Sequence, residues 1–486
     1  MTSHHHVSVS PTPPDPPPGE DAQRAGPPPS GRRSTWSLLR PALLRLHFYA
    51  GILVAPFILI AAITGLLYTF TPQIEEVLYA DELHVPVGEE RLPLSEQVAA
   101  ATSAHPEGTL SGVRPAEAAD ESTRVLLDVP GMEESHRLGA FVNPYTGEVR
   151  GALESYGSSG SLPVRAWLAQ FHRNLHLGDA GHLYSELAAS WVWVVAAGGV
   201  ALWVSKRRGK RRLRAILAPD SQARGRSRTM SWHGSVGVWA AAGLLVLSAT
   251  GLSWSTYAGD NISKIREAMQ WQTPALSAAA PDSGHSGHGA HGAGVEVDRV
   301  LESAREAGLD GPVEVSYPEA EGAAYAVTQT RSQWPTQKDS VAVDPHSGQV
   351  VEELRFADYP LMAKLTTWGI AAHMGLLFGL ANQLLLATLA LSVIGLVIWG
   401  YRMWWQRRPT AGGSFSLGRP IPRGAWRNLP IGTRVLIVLA AAGIGYLMPV
   451  LGVSLLLFLA VDMAVAARER RRSRAAPPRA GAERPS

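Results

Sequence analysis

Apolar residues in this chain gather into blocks of about 20, the length that crosses a hydrocarbon core of roughly 30 Å. The first block runs from about Phe48 to Phe70, the second ends at Val204, the third covers about Gly234 to Thr256, and the fourth ends near Tyr401. A last block, 433–467, is too long for one crossing, and Pro449 near its middle predicts a tight pair of short helices. Two long polar stretches separate the blocks. Each contains a helical pattern (Ser95–Ala104, Val297–Ala307) followed by a strand, a Pro/Gly turn and a second strand. The pattern predicts a mainly α membrane protein: four core transmembrane helices, small α+β lobes outside the membrane, and a C-terminal two-helix hairpin.

The expected segments follow from these boundaries. An irregular tail (1–34) precedes a first span (35–71), a first lobe (72–165) and a second span (166–205). A basic loop (206–229) leads to a third span (230–257), a second lobe (258–360) and a fourth span (361–405). A further loop (406–430), the hairpin (431–467) and a basic tail (468–486) complete the chain.

The halves match each other. In the first span His47 is followed by Gly51 and then Thr64-Gly65-Leu66; in the third, His233 is followed by Gly237 and Thr250-Gly251-Leu252 at the same spacings. His172 lies six residues before Gly178, and His373 six before Gly379. Val142-Asn143-Pro144-Tyr145-Thr146-Gly147-Glu148-Val149 answers Val343-Asp344-Pro345-His346-Ser347-Gly348-Gln349-Val350. A duplicated unit of helix, lobe and helix accounts for 40–405, and functional sites often lie where such halves meet.

Charge sets the orientation. Of 486 residues 46% are hydrophobic and 17% charged, and the net charge of +3 is too small to imply nucleic acid. Arg and Lys cluster before the first block, after the second and fourth, and after the last. The positive-inside rule places all four clusters in the cytoplasm, so both termini are inside and both lobes outside. The Pro-, Ser- and Gly-rich tail lacks the apolar core of a signal peptide, so the first block is read as an anchor in the cell membrane. There are no cysteines, which excludes disulfides, thiolate metal sites and iron–sulfur clusters.

Histidine carries the candidate chemistry. His47 and His233 enter their spans from the cytoplasmic side, while His172 and His373 precede spans that enter from outside. Ionisable residues at membrane depth are costly, and interfacial anchoring is the plain reading of any one of them. Four at matching repeat positions favour a cofactor instead: one pair at each face suits an iron porphyrin, which takes two axial imidazoles and has an apolar ring. Gly51, Gly65, Gly237 and Gly251 fit close approach of a flat ring or a helix. His176 lies four residues after His172, so on a continuous helix both share a face and either is the outer ligand. Arg45, Arg165 and Arg173 are candidates for the porphyrin carboxylates, with surface anchoring as the default. His182 has no repeat partner, since Gln383 stands opposite, and reads as structural. His285, His288 and His291, in a Gly/Ser-rich linker, have a spacing that suits a weak Cu(II), Zn or Ni site.

These residues also carry a family resemblance. Arg45-Leu46-His47 with Thr64-Gly65, Phe171-His172-Arg173-Asn174-Leu175-His176-Leu177-Gly178, Trp232-His233 with Thr250-Gly251, and Ala372-His373-Met374-Gly375 together resemble the PepSY-associated transmembrane helix family. The lobes resemble PepSY domains, whose closing Asn-Pro-Tyr-Thr-Gly-Glu is close to 143–148. Some members are similar to inner-membrane ferric-siderophore reductases with two b-type haems. That resemblance implies His47, His172, His233 and His373 as axial-ligand positions.

The leading expectation is therefore a transmembrane metalloreductase that passes electrons to an extracytoplasmic ferric chelate or Cu(II) complex. No nicotinamide or flavin fingerprint occurs, so the donor is a cytoplasmic reductase or a quinol. A haem-free sensor whose lobes bind a peptide or peptidase is the alternative. A rocking transporter is disfavoured by the few charges within the spans.

Overall fold

A computed structural model describes residues 34–207, 213–277, 296–320, 323–407 and 426–475. The first apolar block forms two helices, α1 (Thr35–Leu53) and α2 (Ala55–Thr69), bent by 57° at their junction. Pro56 causes the break. It has no N–H to give the carbonyl one turn back, and its ring crowds that turn. Tyr401 satisfies the freed oxygen, its hydroxyl donating to Ile52 O at 2.7 Å. The matching position in the third span is Ala242, and that span is unbroken. Tyr401→Phe is expected to cost about 1 kcal/mol, the usual worth of one such bond, read as a lower denaturant midpoint in detergent.

Short helices α3 (Thr71–Leu78), α4 (Ala80–Leu83) and α5 (Leu94–Ala104) lead into strands β1 (Thr109–Arg114), β2 (Thr123–Asp128), β3 (His136–Val142) and β4 (Val149–Tyr156). The second block is likewise divided: α6 (Pro163–Asn174) precedes the long α7 (Gly178–Arg207). After α8 (Arg214–Leu217), α9 (Gly225–Leu252) returns across the bundle to α10 (Tyr257–Ala268). The second lobe holds α11 (Val297–Glu306) and strands β5 (Val313–Ser316), β6 (Tyr325–Gln329), β7 (Ser340–Val343) and β8 (Val350–Leu354). Then come α12 (Leu361–His373), α13 (Leu380–Trp405), α14 (Ile431–Leu447) and α15 (Pro449–Ala475).

Among the described residues α7, α9, α13 and Pro449–Arg471 of α15 are long and apolar enough to cross a membrane, and the bent α1–α2 pair makes a fifth candidate. Helix α7 packs on α9, α9 on α13, α13 on α2, and α1 and α2 on α7, which closes a ring. Its outer surface carries exposed Leu53, Leu67, Val246, Leu385, Leu391 and Ile398. An apolar surface of that extent needs lipid rather than water around it.

The strands of the two polar stretches lie side by side. They form one eight-stranded antiparallel sheet in the order β4-β3-β2-β1-β5-β6-β7-β8. The seam is the pairing of β1 with β5, where Gly112 faces Ser316 and Val113 faces Val315. Each lobe alone would leave β1 or β5 as an unpaired edge; joining them satisfies both. Helices α5 and α11 cover one face. Their Val98, Ala101, Val300 and Ala304 share a core with Val113, Val125, Leu127, Val313 and Val315 of the strands. Asp298 of α11 binds the helix start of the other lobe, accepting from Leu94 N at 2.5 Å and Ser95 N at 3.0 Å.

Alternation along the strands turns Arg114, Arg137 and Glu314 to the opposite face. There Glu314 pairs with Arg114 at 2.6 Å and Arg137 at 3.0 Å, across the seam. Burial pushes the Glu314 carboxyl up, but the two guanidiniums outweigh it and hold the group below its ordinary value. Burial brings Arg124, on the same face, down to about 10. Arg124 is also within electrostatic reach of Glu75 on α3 and Arg165 on α6, so this face of the sheet looks toward the helical bundle.

Candidate functional site

At the end of the ring far from the sheet, His47 on α1 lies with Nδ1 3.1 Å from Val195 O of α7. His233 on α9 repeats the arrangement, with Nδ1 3.1 Å from Leu396 O of α13. A carbonyl only accepts, so each Nδ1 carries the proton and each Nε2 is left with a free lone pair. The ring centres are 6.4 Å apart, with planes at 79°.

At the sheet end the partners are side chains. His172, near the end of α6, has Nδ1 2.9 Å from Thr64 Oγ1 on α2; His373, the last residue of α12, has Nδ1 2.6 Å from Thr250 Oγ1 on α9. Both hydroxyls donate to their own helix, Thr64 to Ile60 O at 2.9 Å and Thr250 to Val246 O at 2.8 Å. Their oxygens therefore accept from Nδ1–H, and Nε2 is again the free nitrogen. His172 and His373 lie within electrostatic reach of each other, and the Trp254 ring lies 5.7 Å from that of His373.

A glycine stands against each imidazole. A Cβ on Gly199 would come within 2.9 Å of His47, and one on Gly65 within 3.2 Å of His172. For Gly251 and His373 the distance is 3.7 Å, and for Gly400 and His233 it is 3.9 Å. Gly65 and Gly251 thus sit beside histidines, Gly51 faces open space, and Gly237 meets Leu396. Val195 and Gly199 recur as Leu396 and Gly400 at the same spacings from the preceding histidine, so ligand, acceptor and glycine repeat as a set.

His176 stands apart. Leu175 takes a left-handed conformation (φ 53°) that ends α6, and His176 follows at φ 54°. The helix on which it would share a face with His172 stops two residues short of it. Its exposed ring instead lies 4.8 Å from Trp167, and Nε2 donates to Trp167 O at 3.2 Å. His182 lies 3.3 Å from Asn174 Nδ2, and Gln383 accepts from Gln73 at 2.9 Å. His285, His288 and His291 lie outside the described residues. Among the described residues no three His, Asp or Glu side chains come together as a bare metal site.

The three candidate arginines differ. Arg173 is exposed and donates to Tyr156 Oη at 3.2 Å. Arg45 is buried and ion-paired with Asp462 of α15. Arg165 is 8% exposed, pairs with Glu75 at 3.8 Å, and keeps a buried Nη2 without a hydrogen-bond partner. It lies two helical turns before His172 on the same face of α6. An orphaned guanidinium nitrogen on the same helix face as a histidine is suited to a carboxylate.

The family signature for the PepSY-associated TM region matches residues 44–407. The chain belongs to that family. No curated protein matches the chain. The PepSY-associated segment takes in all four paired histidines and the whole sheet, and it ends before α14 and α15.

Sequence reasoning noted Thr64 and Thr250 only as repeat markers, and it missed Gly199, Gly400 and Asp462. It also missed Glu186, a fully buried carboxylate on α7 that accepts from Tyr257 N and Ala258 N at 2.9 Å each. Acidic residues inside apolar blocks were the available signal for Glu186 and Asp462.

Proposed function

We propose that this PepSY-associated membrane protein is a two-haem reductase that moves electrons from a cytoplasmic reductase or quinol to a ferric chelate, or a Cu(II) complex, outside the membrane. One observation carries the reading. Four histidines at equivalent places in two halves all hold their proton on Nδ1, leave Nε2 free, and rest against a glycine. On this reading the chain is two copies of a helix–lobe–helix unit plus a C-terminal hairpin, set in the cell membrane with the sheet outside and the basic helix ends inside.

The donor sets suit b-type haem. His47 with His233, and His172 with His373, would supply the nitrogens that hold it, and the orphaned Nη2 of Arg165 would meet a carboxylate at the outer position. When bound, such a group would supply reversible one-electron chemistry, at a potential tuned by the residues that hold it and their hydrogen bonds. The chain's own work is to fix the imidazole tautomers, to keep water out by closing the helix ring, and to hold an acceptor against the sheet side. Ferric iron reduced there is released, because Fe(II) binds hard-oxygen chelators more weakly than Fe(III) does.

The test is an absorption spectrum of protein purified from haem-replete cells. The expected result is a sharp reduced α band and a pyridine haemochrome near two haems per chain. Folded protein without haem would sink the proposal and leave the alternative, a sensor whose lobes bind a peptide or peptidase.

A further inference from the structure

Helices α14 and α15 lie beyond the family segment, and none of the Nδ1 partners of the four histidines lies on them. Their contacts with the bundle are selective. Leu451 of α15 packs in one cluster with Ala50 of α1, Val54 at the α1–α2 junction and Trp191 of α7. Ser454 accepts from Trp191 Nε1 at 2.9 Å. The ring of Phe458 lies 6.0 Å from that of Tyr49, and Asp462 pairs with Arg45. Four successive turns of α15 thus touch α1 or α7.

Those two helices build the His47 site. His47 is on α1; its acceptor Val195 and its glycine Gly199 are on α7. The residues engaged, from Arg45 to Val54, flank His47 and end at the break made by Pro56. The matching half has no such break, since α9 runs unbroken from Gly225 to Leu252. A helix interrupted within a few turns of a ligand loses the stiffness that a continuous hydrogen-bond ladder provides, and an outside brace is the remedy available.

We propose that α15 is a strut that holds the broken first span against α7, and that Asp462 is a positioning residue acting on His47 through Arg45. The contact is a partly buried ion pair within the apolar part of α15. Removing the acid takes a charge partner from a buried guanidinium, and that is costly enough to move α1. The proposal rests on the two-haem reading only for its spectroscopic readout; the mechanical part stands without it.

The test compares full-length wild type with Asp462→Ala and Asp462→Glu. Hydrogen–deuterium exchange reads the strut directly. In Asp462→Ala the amides of residues 46–54 should exchange about tenfold faster while those of 236–252 do not change, and Asp462→Glu should restore most of the protection. The haem signal abolished by His47→Ala should fall at least twofold, and the signal abolished by His373→Ala should hold. If Asp462→Ala does not fold, Ser454→Ala serves with the same pattern at smaller amplitude. Exchange that rises equally in α1 and α9, or in neither, overturns the proposal. Wild-type protein without haem would defeat the functional reading, while the exchange result would still decide the strut.

Discussion

His47→Ala is expected to remove one of two haems and leave the other. His373→Ala should do the same at the opposite end, and the double variant should bind none. Each variant would remove one of the two histidines proposed to hold that haem. The pyridine haemochrome should fall from about two haems per chain to about one for each single variant. His176→Ala serves as the contrast. Its ring is exposed and engaged with Trp167, so the haem count should not change. Loss of neither haem in the first two variants, or loss of one in the third, would overturn the ligand assignment.

Glu314→Ala should be the most damaging single change in the eight-stranded sheet. It removes the acid partner that Arg114 and Arg137 share and leaves both guanidiniums crowded on the face toward the bundle. Breaking such a pair costs about 3 kcal/mol or more, and the β1–β5 seam should open first. Protease digestion between the lobes, or exchange at Val113 and Val315, reads that opening. The same network sets a pH dependence. The folded Glu314 carboxyl lies below its unfolded value, so its contribution is present above the unfolded value and lost as pH falls through the folded one. Acid should therefore loosen the seam. Lys338 acts at the other end of the scale. Burial, helped by Arg114, brings it down to about 8 from 10.5. It opposes folding while charged, below about 8, and that opposition fades as pH rises from 8 toward 10.5. Lys338→Met should abolish the alkaline gain and leave the acid limb in place.

The division between what was legible and what was not follows from the range of the forces involved. Hydropathy and positive charge act locally along the chain, so the apolar blocks, the polar stretches and the matched histidines could all be read from residue order. Spacing also brought out Thr64-Gly65 and Thr250-Gly251 as repeated pairs, although not their use. Three features needed the folded chain. Pairing of β1 with β5 is a contact between strands about 200 residues apart, and no local pattern says that two lobes will share one sheet. The left-handed turn at Leu175 separated His172 from His176, and neither Leu175 nor His176 is a glycine that would announce such a turn. The role of Asp462 depends on Arg45 at the other end of the chain. Sequence by itself determined a multi-pass membrane protein whose histidines recur at matched spacings in two stretches of the chain, because periodicity and charge are written in order along the chain. Tertiary structure alone decided which partner each histidine nitrogen meets and that Asp462 pairs with Arg45, because a hydrogen bond or an ion pair forms only where two distant segments are packed together.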